Sequence, residues 1–141
     1  MEEDAMISFN IQILYRCVLA TFLLLPTVFC NNLFAATHVS GRYASAGGTY
    51  IVLTLSVQTT APVNLIIEQY MSGGNRVIST SPRAKKIEGG GARIKWLVRN
   101  FPSGSLQLST RLSAPLAGKV RAVIKYRDPD TGKFTEIRIT P

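Results

Sequence analysis

The chain has 141 residues, 46% of them hydrophobic and 17% charged, and a formal net charge of +8. That length leaves room for one cored domain and a targeting segment but not for two independent cores. The apolar content excludes an intrinsically disordered chain, and a single histidine leaves little material for histidine-based catalysis.

The first feature in chain order is the uncharged apolar run Cys17 to Phe29, bounded by Arg16 and by Asn31-Asn32. It suits the core of a signal helix and falls short of the ~20 residues that cross a bilayer. Residues 1–36 therefore read as a leader, cleaved near Ala36 with the bond itself left open. An uncleaved leader acting as a membrane anchor is the alternative, and lipoprotein processing at Cys30 is disfavoured by bulky Phe29. The acidic Glu2, Glu3 and Asp4 are foreign to a leader, and initiation at Met6 would remove them. Both cysteines, Cys17 and Cys30, lie in this segment, so disulfides are not expected to hold the exported domain. Beyond Ala36, 15 basic residues stand against 5 acidic ones, a formal charge of +10, which draws a small domain to anionic surfaces and polymers.

Residues 37–48, small and containing His38, read as a flexible lead-in. From Thr49 a two-residue rhythm takes over, because successive side chains of a strand point to opposite faces. Ile51, Leu53, Leu55 and Val57 fall on one face of the first strand, and Val63, Leu65 and Ile67 on one face of the second. Ser72 to Asn75 is a turn. Arg76 to Thr80 is a short strand, Arg83 to Glu88 an edge strand or loop, and Gly89 to Gly91 a hairpin connection. The segment Ala92 to Arg99 turns Ala92, Ile94, Trp96 and Val98 inward and Arg93, Lys95 and Arg99 outward, with Trp96 as the expected anchor of the core. Leu106, Leu108, Thr110 and Leu112 alternate next, then Val120, Ala122, Ile124 and Tyr126. Asp128 to Gly132 is a hairpin turn, and Phe134 to Thr140 closes the domain with Ile137 and Ile139 inward.

Seven or eight antiparallel strands with regular turn signals specify an all-β sandwich over residues 49–141, after the N-terminal signal helix. The stretches Pro62-Val63-Asn64-Leu65-Ile66-Ile67-Glu68, Gly73-Gly74, Val77-Ile78-Ser79-Thr80-Ser81-Pro82, Ile94-Lys95-Trp96-Leu97 and Pro102-Ser103-Gly104 resemble the "conserved repeat" immunoglobulin-like domains of bacterial surface and exported proteins. The resemblance covers roughly Thr49 to Thr140. It implies an immunoglobulin-like sandwich outside the cytoplasm, used as a spacer, adhesive or assembly module, with no catalytic residues to carry over. A single short, basic unit points within that class to a small subunit or accessory protein.

Chemical constellations are sparse. His38 reads as an exposed terminal residue, and no nucleophile, base and orienting group are gathered by the sequence. Asp128-x-Asp130-x-Gly132 begins like a calcium loop, but Gly132 stands at the third ligand position and Ile139 at the twelfth, so a turn is the better reading. Glu68 and Glu136 lie on different strands. Gly89 to Gly91 lacks the Lys-Ser/Thr ending of a phosphate loop. No metal or cofactor is expected.

Two basic rows remain. Arg93, Lys95 and Arg99 project from one strand and Lys119, Arg121, Lys125 and Arg127 from another; they form a patch for an anionic partner if they share one sheet face. Trp96 and Tyr126 alternate onto the apolar side, away from the charge, which argues against specific nucleic-acid recognition. The expectation is an exported, non-enzymatic interaction module of an envelope or extracellular assembly. Binding of acidic polysaccharide or lipid headgroups through a basic face is the alternative.

Overall fold

The computed structural model describes residues 38–141. The leader expected over residues 1–36, with Cys17 and Cys30, lies outside them. Nine strands follow one another: β1 (Val39–Gly47), β2 (Tyr50–Val57), β3 (Val63–Met71), β4 (Val77–Ser81), β5 (Lys86–Glu88), β6 (Arg93–Phe101), β7 (Gly104–Leu112), β8 (Val120–Arg127) and β9 (Phe134–Ile139). They build an all-β structure of two antiparallel sheets, one ordered β1-β2-β7-β4 and the other β5-β6-β3-β8-β9. Among the described residues no helix is long and apolar enough to cross a membrane.

The alternation written into the sequence decides which side of each strand is dry. Ile51, Leu53, Leu55 and Val57 of β2 and Leu108 and Leu112 of β7 meet Leu65 and Ile67 of β3, Ile94 and Trp96 of β6, and Ala122, Ile124 and Tyr126 of β8 in one core. Trp96 is 1% exposed. Its indole Nε1 donates to the Pro82 carbonyl at 2.9 Å, so the one polar atom of the largest core side chain is satisfied. β6 is an interior strand, while β3 occupies the middle of its sheet with β6 and β8 on either side.

Several expectations need correction. Among the described residues the strands number nine rather than seven or eight, and the extra one at the start is β1, which turns most of the supposed flexible lead-in 37–48 into a strand paired with β2 from Val39↔Val57 to Gly47↔Tyr50. Its inward side is small: Gly41 lies where a Cβ would run 2.3 Å from Ile139 Cδ1, so Ile139 and Leu55 fill the place of a side chain there. Ala92 is exposed instead of inward, because the chain is still leaving the short 3-10 turn Gly89–Gly91 at that point. Gly91, at φ 133°, tucks under β4, where a Cβ would stand 2.7 Å from Val77 Cγ2 and 2.8 Å from the Asn75 carbonyl. Asn75 in turn ties two loops together, donating to the Pro115 carbonyl at 3.0 Å and accepting from the Ala117 amide at 3.3 Å.

Because Trp96 is the bulkiest of the fully buried side chains, Trp96→Ala is expected to cost ~3–5 kcal/mol in denaturant unfolding. A loss below ~1 kcal/mol would place the indole outside the core.

Candidate functional site

The strand order answers the question that periodicity leaves open. β6 and β8 both pair with β3, with Lys95 opposite Glu68 on one side and Val123 opposite Glu68 on the other, and with Arg93 and Arg121 both opposite Tyr70. Residues that pair directly across antiparallel strands share a face. Arg93, Lys95, Arg121 and Lys125 therefore emerge from the same outer face of the five-stranded sheet, whereas Arg99 falls in the register break between Val98 and Phe101 and Arg127 lies beyond the residues paired with β3. Among β6, β3 and β8 their one carboxylate counterpart is Glu68. Lys119 is different: it precedes β8 and stands at the rim of an open cleft of about 740 Å³ between Met71, Ala92, Leu116 and Val120. Arg127 sits at the far end of the row, its Nε donating to the Gly132 carbonyl at 2.7 Å.

Glu68 is 3% exposed although it points away from the core. Its carboxylate accepts from Arg93 Nη2, from the Tyr70 hydroxyl at 3.0 Å and from Lys125 Nζ at 3.4 Å, with Lys95 Nζ at 3.5 Å. Burial opposes its ionisation, but the hydrogen bonds from Arg93, Tyr70 and Lys125 outweigh burial and pull its pKa from 4.5 to about 2. Arg93 reaches on to Glu88 at 3.3 Å, and Lys125 to Glu136 at 4.0 Å, so Glu68 and Glu136, on strands β3 and β9, meet through one lysine. Tyr70 lies between two guanidiniums, Arg121 at 4.8 Å and Arg93 at 5.7 Å from its ring centroid. An aromatic therefore does stand within the basic face; Tyr70 sits on the side of β3 opposite Leu65 and Ile67, and counting parity from those residues would have placed it there.

A second cluster forms at the other end of the sheet. His38 is half-buried and fixed, contrary to the expectation of an exposed terminal residue. Its Nδ1 lies 3.1 Å from the Gln58 carbonyl, and its Nε2 lies 2.7 Å from Asp130 Oδ2 and 3.9 Å from Asp128 Oδ2. The hydrogen bond to Gln58 raises the His38 pKa, aided by the charges of Asp130 and Asp128. Asp128 also makes the expected turn: its Oδ1 accepts from the amides of Asp130 and Thr131 at 2.9 Å, and the Thr131 amide leads in holding its pKa low. Gly132, at φ 68°, completes that turn with its amide on the Asp128 carbonyl at 2.8 Å.

A carboxylate whose folded pKa lies below its ordinary value stabilises the fold above that ordinary value, and the contribution disappears as pH falls through the folded one. Glu68 should thus add stability that is complete above about pH 5 and lost between there and about pH 2. Glu68→Gln, which leaves Arg93, Lys95 and Lys125 facing one another, is expected to lose ~1–3 kcal/mol at pH 7 and to show a flatter decline in acid than the parent protein. Parallel stability curves for the two proteins, measured by chemical denaturation from pH 7 to pH 2, would remove Glu68 from this role.

No protein-family model matches the chain, and no curated protein matches it.

Proposed function

We propose that the chain is an exported, non-enzymatic interaction module of immunoglobulin-like type, acting as a subunit or accessory of a cell-envelope or extracellular assembly. It presents the outer face of its five-stranded sheet to an acidic polymer such as an anionic polysaccharide. The observation that carries this reading is the gathering of Arg93, Lys95, Arg121 and Lys125 on one face around a single buried carboxylate. Excess positive charge on a flat sheet attracts polyanions by non-specific steering and by direct pairing. Tyr70, with the guanidiniums of Arg93 and Arg121 over its ring, helps to hold those two charges in place on this face.

The immunoglobulin-like part of the proposal draws support from the strand order. β1-β2-β7-β4 follows the A-B-E-D order of such domains and β3-β8-β9 the C-F-G order, with the β5–β6 hairpin added at the free edge of β3. Export draws its support from the apolar run Cys17 to Phe29.

A second reading is assembly through apolar contacts at the sheet edges. It rests on Ile78, 58% exposed on edge strand β4, and Phe134, 80% exposed on edge strand β9. Salt separates the two. Retention on a heparin-like matrix should fall steeply between low and physiological ionic strength, since exposed charges are screened within ~10 Å at 0.1 M. The substitution Arg121→Gln, which spares the partners of Glu68, should elute at lower salt with unchanged unfolding behaviour. Retention that is indifferent to both would favour edge assembly.

A further inference from the structure

The cluster at the β8–β9 turn brings together residues some ninety positions apart in the chain. We propose that His38, Asp128 and Asp130 form a binding site for a borderline divalent transition-metal ion, of the Zn2+ class, that fastens the start of β1 to the β8–β9 turn. One ligand atom from each of the three lies within 4.8 Å of the others.

Each donor is prepared differently. A carbonyl oxygen only accepts, so the contact with Gln58 at 3.1 Å keeps a proton on Nδ1, and Nε2, which donates to Asp130 Oδ2 at 2.7 Å in the metal-free protein, is the nitrogen that a metal ion would take by displacing its proton. A backbone carbonyl on the far ring nitrogen is the arrangement that orients metal-bound histidines. Asp128 commits Oδ1 to two backbone amides, which fixes the carboxylate and keeps Oδ2 turned toward His38. Asp130 has the most exposed side chain of the three, 60% by area, and is free to adjust.

The spacing fits with a small adjustment. Zinc bonds of ~2.0–2.2 Å to nitrogen and oxygen set neighbouring tetrahedral donors roughly 3.4 Å apart. The present separations of 2.7 Å and 3.9 Å from Nε2 bracket that value. Charge points the same way. In a domain with a large excess of basic residues, Asp128 and Asp130 have no lysine or arginine ion-pair partner among the described residues, and both face one imidazole. Adjacent Arg127 is turned to the Gly132 carbonyl instead. Two carboxylates and a neutral ring carry the charge that a divalent cation balances. The set suits a nitrogen-accepting metal; Ca2+ takes six to eight oxygens, which these residues do not supply. Three protein donors leave one tetrahedral position for water or for a group from a partner.

The chain contains one histidine, so its imidazole resonance reports on this site alone, whatever Cys17 and Cys30 do with metal in the full-length protein. The experiment is titration of the full chain with ZnCl2, followed by NMR of the His38 ring and by calorimetry. The expected result is a shift of the His38 signals that saturates at one equivalent and is not reproduced by equal Ca2+ or Mg2+. Asp130→Asn and Asp128→Asn, the latter able to keep the turn through its amide oxygen, should each weaken the effect at least about tenfold. A His38 resonance that Zn2+ leaves in place, or one that shifts equally well in both variants while their strand content is unchanged, would reduce the cluster to an ion pair and overturn the site.

Discussion

A sheet face that carries Arg93 and Lys95 on β6 and Arg121 and Lys125 on β8 holds two positive rows only ~10 Å apart, two strand spacings, across β3. These rows repel one another, and Glu68 offsets that repulsion. Placed on the strand between them, it accepts from Arg93 and Lys125 and draws in Lys95, so that one buried negative charge organises three cations. Burial alone would push the pKa of a carboxyl in this position up; the hydrogen bonds from Arg93, Tyr70 and Lys125 keep it ionised. The face is therefore charged and still positive in sum, as the proposed polyanion-binding surface requires.

The interior imposes the complementary constraint. Gln69, next to Glu68 on β3, is 1% exposed, and its side chain enters the core beside Ile67 and Met71. Among the described residues Gln69 Nε2, Thr110 Oγ1 and the Tyr43 hydroxyl are buried without a hydrogen-bond partner. Such groups cost stability individually, and in Tyr43 burial also pushes the phenol pKa up. Packing around Trp96, Tyr126 and the aliphatic residues of both sheets has to outweigh them.

The sequence reveals the strands whose alternation is strong. β2, β7 and β8 bury the residues that a period of two assigns to them, because each sits inside a sheet with one face on the core. β1 is not legible in the same way. Val39-Ser40-Gly41-Arg42-Tyr43-Ala44-Ser45-Ala46-Gly47 offers few large apolar residues, and its strand conformation comes from pairing with β2 and from the side chains of Leu55 and Ile139 that close over Gly41. The basic rows are visible residue by residue, yet their meeting on one face depends on β3 lying between β6 and β8, a fact of topology that periodicity does not contain. The same holds for His38 and the Asp128–Asp130 turn: the turn is readable from its Asp and Gly residues, but its neighbour in space is supplied by the order of the strands.

The central proposal is that the outer face of the five-stranded sheet receives an anionic partner. Backbone amide shifts mapped by NMR during addition of a short heparin oligosaccharide test it residue by residue. The account predicts perturbations concentrated on Arg93, Lys95, Tyr70, Arg121 and Lys125, with β1, β2 and β7 silent. Perturbations centred on Ile78 of β4 or on the opposite sheet, with the face around Glu68 unmoved, would contradict it.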